Sequence, residues 1–163
     1  MLLIVWHSRT GTAQAMARAA FDGARGEGLC RMLRAEDACG AAGEEAMLGA
    51  SAYLFCCPEN LASASGAMKE FFDRNYYPLL GRIEGRSYAT MIAAGTDGSG
   101  AERQIDRIAT GWRLRRVAEP LIVLTGAQTP EAILAPKSVA SERLLDCYNL
   151  GQALCAGLAL GVF

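Results

Sequence analysis

The chain has 163 residues, of which 52% are hydrophobic, and its formal net charge at pH 7 is −1. This length predicts a single domain over residues 1–163, with enough apolar residues for a sizeable core. The near-neutral charge argues against a nucleic-acid-binding protein, which would carry a basic face or stripe.

The chain begins with a short apolar run, Leu2–Trp6, which predicts a buried strand, and a helical pattern follows it. The apolar stripe of that helix has 3.6-residue spacing and consists of Ala13, Met16, Ala17, Ala20, Phe21 and Ala24. The connection between strand and helix is rich in small and hydroxyl residues and holds one cation: Ser8, Arg9, Thr10, Gly11 and Thr12. A helix N-terminus offers free N–H groups and a positive dipole end, so this loop predicts a phosphate site. The alternative is that the hydroxyls only cap the helix.

Further strands and helices alternate along the chain. Leu29–Ala35 alternates apolar and basic residues and predicts an edge strand, and Glu44–Leu48 predicts a short helix. The run Ser51–Cys57 predicts a buried strand that ends at Pro58. The later strands are predicted at Ser87–Gly95 and Pro120–Gly126, with helices around Met68–Phe72, Ile105–Trp112 and Leu144–Leu158.

This alternation predicts an α/β fold in which a five-stranded parallel sheet carries helices on both faces, a doubly wound three-layer sandwich. Ligands of such sheets bind outside the carboxyl ends of the strands. The loops after the first, third and fourth strands are therefore the candidate site.

The second and third of these loops add their own candidates. The connection after the third strand, predicted to be nine residues long, contributes Pro58, Glu59, Asn60, Leu61 and Ala62, whose backbone amides we expect to stay accessible to a flat ligand. The loop after the fourth strand contains glycines that permit close approach, together with two polar residues: Gly95, Thr96, Asp97, Gly98 and Gly100.

These motifs resemble a known family. "SRTGTAQ" resembles the flavodoxin phosphate-loop pattern S-x-T-G-N-T, and "PENLASASGAMKEFFDR" looks like the loop and helix of NAD(P)H-dependent FMN reductases and flavodoxin-like quinone reductases. "GTDGSGAE" is similar to their G-T-x-x-G-G-x-E loop, and "LGQALCAGLALG" looks like their last helix. The resemblance covers nearly the whole chain.

The resemblance implies a flavodoxin-like domain that binds FMN, with the phosphate in the first loop and the ring between the other two. It implies NAD(P)H-dependent reduction of flavin or quinone, with NADH or NADPH as reductant, a small-molecule electron acceptor and a homodimer or homotetramer. Two alternatives stay open: an electron carrier without an NAD(P)H step, and a flavodoxin-fold binding protein that has lost its flavin.

Three positions depart from the family pattern. Ala13 stands where the pattern has a hydroxyl, Asn60 where a ring-contacting Tyr is frequent, and Gly98 where a His is often found. The missing aromatic ring at Asn60 predicts micromolar rather than nanomolar FMN affinity.

The remaining titratable and sulfur-containing residues predict little chemistry. The six cysteines form no C-x-x-C pair and there is one histidine, so a zinc site has little support. His7 is expected to pack at a strand end, and Cys56 and Cys57 to point to opposite faces of their strand. The segment "MLLIVW" lacks the basic flank of a signal peptide, and no segment has the length of a bilayer span, so we expect a reduced cytoplasmic protein.

Overall fold

Strands and helices alternate along the chain as the apolar periodicity predicts. The structure, a computed structural model, describes residues 1–163. The strands are β1 (Leu2–Trp6), β2 (Cys30–Arg34), β3 (Ala52–Asn60), β4 (Ser63–Ala64), β5 (Ser87–Ala94), β6 (Arg115–Arg116) and β7 (Leu121–Leu124). The helices are α1 (Thr12–Ala24), α2 (Ala41–Gly49), α3 (Gly66–Leu79), α4 (Ser99–Gly111), α5 (Pro130–Leu134) and α6 (Ser141–Ala159). None of the helices combines the length and the apolar character that a membrane crossing requires.

The sheet has the order β2-β1-β3-β5 followed by a fifth position that two short strands share. Along β5, the first residues pair with β6 and the last four pair with β7, and every one of these pairings is parallel. The predicted parallel α/β sheet with helices on both faces is confirmed. The predicted fifth strand, Pro120–Gly126, corresponds to β7 alone. Between β6 and β7 the register to β5 shifts by two residues, since Arg116 pairs with Tyr88 and Leu121 with Met91.

Alternate residues of the strands face two separate apolar cores. One core joins the sheet to α2, α3 and α4 and holds the large aromatic side chains, among them Phe55, Phe71 and Phe72. The other joins the sheet to α1 and α6 and consists largely of alanine, methionine and cysteine side chains. Cys57 belongs to the first core and Cys56 to the second, which confirms their predicted opposite orientation.

Glycines bring α1 and α6 into close contact. A Cβ added to Gly23 would lie 2.1 Å from the Tyr148 carbonyl oxygen, and one added to Gly151 would lie 1.9 Å from the Ala20 carbonyl oxygen. Neither position tolerates a side chain, so the two backbones pack directly on one another. This packing fixes α1, which begins at Thr12, against α6.

The prediction that β3 ends at Pro58 is wrong. Because β1 ends at Trp6, opposite Cys56, Pro58 has no neighbour in β1 and is paired only with β5. Its missing N–H therefore interrupts no hydrogen bond to β1. The strand continues to Asn60, and the expected nine-residue loop is a tight hairpin in which Asn60 pairs with Ser63 of β4.

Candidate functional site

A cavity of about 490 Å³ opens at the carboxyl ends of β1, β3, β5 and β7, where the sheet topology predicts a ligand site. Its volume lies within the range of small-molecule pockets, roughly 300–1,000 Å³. The lining residues come from the two predicted loops after β1 and β3, from the end of β5, and from a segment after β7: Arg9, Thr10, Thr12, Pro58, Glu59, Asn60, Leu61, Ala93, Ala94, Gly95, Thr125, Ala127, Ile133, Leu134 and Lys137.

The structure brings about half of the predicted site residues to the cavity wall. Those that line it are Arg9, Thr10, Thr12, Pro58, Glu59, Asn60, Leu61 and Gly95. Those that do not line it are Ser8, Gly11, Ala62, Thr96, Asp97, Gly98 and Gly100. The first two loops therefore meet at one cavity, whereas the third contributes only its first residue.

The loop after β1 leaves polar groups free at the start of α1. Gly11 has a φ of 101°, in the left-handed region, and its N–H donates to the Ser8 hydroxyl oxygen at 3.2 Å. No side chain caps α1, so the capping alternative does not describe this helix. The Thr12 Oγ1 atom is buried and has no hydrogen-bond partner. A buried hydroxyl without a partner is costly, and a ligand acceptor or donor at this position would satisfy it.

Glu59 connects the hairpin after β3 to the N-terminus of α4. Its Oε1 accepts from the Gly98 N–H and its Oε2 from the Ala101 N–H, each at 3.0 Å. The Gln104 side-chain oxygen accepts from the Ala64 N–H at 2.8 Å in the same contact. Both carboxylate oxygens thus stabilise the positive end of the α4 dipole, which gives Glu59 a structural task at the edge of the cavity.

The glycines after β5 are packed against neighbouring segments of the protein, and of them only Gly95 also lines the cavity. A Cβ at Gly95 would lie 2.9 Å from the Ala127 carbonyl oxygen, one at Gly98 2.7 Å from Ile122 Cγ2, and one at Gly100 2.3 Å from the Ala62 carbonyl oxygen. These glycines let the neighbouring segments approach closely. This packing accounts for the glycines without a ligand, so their close approach to a ligand stays a prediction.

The segment 126–137, which we call the strap, contributes lining residues that the sequence analysis missed. At its start, the Gly126 N–H donates to the Gly95 carbonyl at 2.9 Å, and at its end the Lys137 N–H donates to the Thr10 carbonyl at 2.8 Å. The strap therefore runs from the loop after β5 to the loop after β1. The residues missed at and around it are Thr125, Ala127, Ile133, Leu134 and Lys137.

Two signals in the sequence could have identified the strap. The connection between the predicted fifth strand and the last helix is much longer than the usual 2–6 residues, and long connections at this sheet edge often carry function. Thr129 followed by Pro130 is also a helix start signal, and the Thr129 Oγ1 accepts from the Ala132 N–H at 3.3 Å.

His7 connects the first loop to α3 and does not line the cavity. Its Nδ1 lies 2.8 Å from the Ser65 hydroxyl, and its Nε2 lies 3.8 Å from a Glu36 carboxylate oxygen. Burial lowers the pKa of His7, although Glu36 acts in the opposite direction. Ser65 is fully buried, so this Ser–His–Glu grouping offers no accessible nucleophile. The expectation that His7 packs at a strand end is confirmed.

Two other reactive groups near the site are a thiol that stays protonated and an ammonium group that is hydrogen-bonded to backbone carbonyls. Burial raises the pKa of the Cys57 thiol to about 12, which keeps it out of the reactive thiolate form. The Lys137 ammonium donates to the carbonyl oxygens of Ala132, Ile133 and Ala135 at the end of α5. No lining side chain is left as an evident acid or base.

Comparison of the sequence with protein-family models and with curated proteins finds no match. Solved structures share the fold at low sequence identity. A flavodoxin from the domain Archaea is 15% identical with a TM-score of 0.76, covering 97% of this chain and 98% of its own. A WrbA-like flavodoxin from Agrobacterium tumefaciens is 19% identical with a TM-score of 0.71, covering 98% and 97%. A flavone reductase is 15% identical with a TM-score of 0.75, covering 98% of this chain and 63% of its own. The fold is flavodoxin-like.

Proposed function

We propose that the cavity binds FMN and that the protein is an oxidoreductase, most specifically one that reduces a flavin or a quinone with NADH or NADPH. The observation that carries this proposal is the unpartnered, buried Thr12 hydroxyl at the start of α1, beside a glycine in the left-handed region. An anionic oxygen placed there would accept from the hydroxyl and from free N–H groups of the helix, as phosphates do at helix N-termini.

The residues around this hydroxyl fit a phosphate group. A Cβ added to Gly11 would meet only the Lys137 carbonyl oxygen, at an ordinary 3.6 Å, so the space above the loop is open. Arg9 lines the same wall and supplies a positive charge, while the one lining carboxylate, Glu59, is bound to the backbone of α4. The charge balance of the wall therefore favours an anion.

The rest of the cavity fits a flat, partly apolar ring. Its wall combines apolar residues, among them the short Ala93 and Ala94 at the end of β5, with polar ones such as Asn60 and Thr125, and none of the fifteen lining residues is aromatic. Without an aromatic side chain to stack on, a flavin ring loses roughly 1 kcal/mol of contact energy, which weakens FMN binding about fivefold. A cavity without an aromatic lid also leaves room for a second flat molecule, which favours the enzyme over a carrier.

Bound flavin would supply the redox chemistry, since it accepts and donates hydride or single electrons. The residues of this chain that would bind and orient it are Thr12 and Arg9 at the phosphate and the ends of β3 and β5 along the ring; all of them line the cavity. Glu59 and Lys137 hold the surrounding loops in place. No side chain is required as a proton donor in this arrangement.

Two measurements test the proposal. Titration of the protein with FMN and with riboflavin should show tighter binding of FMN, and equal affinities would contradict a phosphate site. Stopped-flow mixing of the FMN-loaded protein with NADH or NADPH should bleach the flavin absorbance between about 370 and 450 nm. Bleaching by a chemical reductant but by neither nucleotide would favour the electron-carrier alternative.

A further inference from the structure

The strap exposes aliphatic side chains at the cavity. Its helix α5 buries no side chain, yet Ile133 and Leu134 lie on it, line the cavity, and are 50% and 68% exposed. Hydrogen bonds at its two ends, to Gly95 and Thr10, hold the strap across the site. Apolar side chains that are half or more exposed at a cavity wall can bury their remaining surface against a ligand.

The hairpin turn after β3 presents a third aliphatic side chain to the same cavity. Leu61 is fully exposed, at 101%, and lines the wall. Leu61 and its neighbour Ala62 have φ values of 50° and 57°, in the left-handed region that normally favours glycine or asparagine. Such backbone strain in two successive residues persists where the surrounding structure enforces it, and it is concentrated at ligand sites.

We propose that Leu61, Ile133 and Leu134 form an aliphatic clamp that contacts the flavin ring in place of aromatic side chains. The clamp rests on the proposed FMN function. These three residues line the same cavity as Thr10 and Thr12, so a ligand with its anionic end at α1 can extend its ring toward them. In this arrangement the hairpin and the strap contact the ring together, and the glycine-rich loop after β5 does not.

The test uses lumiflavin, which has the flavin ring but no ribityl phosphate, beside FMN. The double variant Ile133→Ser with Leu134→Ser should weaken both ligands at least tenfold, or about 1.4 kcal/mol, by the same factor. Fluorescence titration of each flavin measures the affinities. The matched control is Leu145→Ser, since Leu145 is 57% exposed on α6 and lies outside the cavity, so its variant should bind both flavins like the parent protein.

The outcomes separate the clamp from the proposed function. Because α5 buries no side chain, the double variant should keep the thermal unfolding midpoint of the parent, so weaker binding would report on contact rather than folding. Unchanged lumiflavin affinity in the double variant, with FMN still bound, would overturn the clamp and leave the FMN function standing. A parent protein that binds neither flavin would overturn both.

Discussion

The loop after β1 contains one glycine and the loop after β5 contains three, each among polar residues, and the space beside these glycines is filled differently. Beside Gly98 and Gly100 lie Ile122 and the Ala62 carbonyl, closer than 3 Å to where a Cβ would be. Beside Gly11 nothing lies closer than 3.6 Å, and the adjacent Thr12 hydroxyl has no partner. One loop is packed against protein and the other is open to a cavity.

The difference shows that a glycine-rich loop at the edge of a sheet has two uses. In the packed loop, glycines allow the hairpin after β3 and the strand β7 to approach α4. In the open loop, glycine leaves backbone and hydroxyl groups free for a ligand. Substitutions that add a side chain should therefore damage folding in one loop and binding in the other.

The largest expected effect is a loss of stability in Gly100→Ala. The added Cβ would lie 2.3 Å from the Ala62 carbonyl oxygen, a backbone atom that moves only with the hairpin. Overpacking of this kind costs about 3 kcal/mol of unfolding free energy. Urea unfolding measures it, with Gly111→Ala as the control because nothing lies within 4 Å of that position on the same helix. Equal stability of the two variants would show that the hairpin adjusts freely.

Gly11→Val should affect binding more than folding. Valine at a φ of 101° is strained by about 1 kcal/mol or more, and its side chain would occupy the open space over the loop. We expect FMN affinity to fall at least tenfold, about 1.4 kcal/mol. The control is Gly81→Val, with a φ of 75° and open space around it, which should lose similar stability and keep its FMN affinity. If both variants bound FMN equally well, the open loop would not be the phosphate site.

Thr12→Val should change stability and binding in opposite directions. Without ligand, the variant replaces an unpartnered buried hydroxyl by a methyl group, so its unfolding free energy should match or exceed that of the parent by up to about 1 kcal/mol. FMN affinity should fall about fivefold, near 1 kcal/mol, through loss of one hydrogen bond. Riboflavin affinity, measured in the same titration, should not change. A stability loss without an affinity change would give Thr12 a purely structural role.

The fold could be predicted from the sequence because its signals are local and repeated. Apolar runs such as Leu2–Trp6 and the helical stripe that follows it are each sufficient to identify an element, and their alternation determines a parallel sheet. The split of the fifth strand into β6 and β7 was not predictable, since Arg115–Arg116 is too short and too polar to carry a strand pattern.

The candidate site was predictable only in part, because composition does not show what fills the space beside a glycine. The packing of Gly98 depends on Ile122, which lies 24 residues further along the chain. The wall formed by Ile133 and Leu134 depends on a hydrogen bond between Lys137 and Thr10, two residues far apart in sequence. These contacts follow from the assembled sheet and not from any single segment.

Asn60→Tyr would fill the open side of the cavity with a ring. Asn60 lines the cavity at the end of β3, where a stacked aromatic side chain contributes up to about 1 kcal/mol. FMN binding should become several-fold tighter, and turnover should slow because the ring would occupy the acceptor's place. Flavin fluorescence titration and steady-state rates on both proteins measure these changes. Nanomolar binding by the parent protein would show that this position does not limit affinity.

The smallest expected effect is the contribution of His7 to the pH dependence of protein stability. His7 lies next to the open loop. Burial lowers its pKa in the folded protein below the ordinary value of about 6.5, so between these two values the unfolded chain binds more protons. Stability should therefore decrease as the pH falls below about 6.5, and the decrease should stop once the pH passes the pKa of the folded state.

Urea unfolding at pH 7 and pH 5 measures the His7 contribution. His7→Asn retains a polar side chain toward Ser65 but does not titrate, so its stability should decrease less over this range than that of the parent protein. Glu36→Gln removes the carboxylate that raises the pKa of His7, so it should enlarge the decrease that His7 contributes. Arg34 and Arg9, which also lower this pKa, are unchanged in both variants. Identical pH dependence in the parent and His7→Asn would show that His7 does not contribute to it.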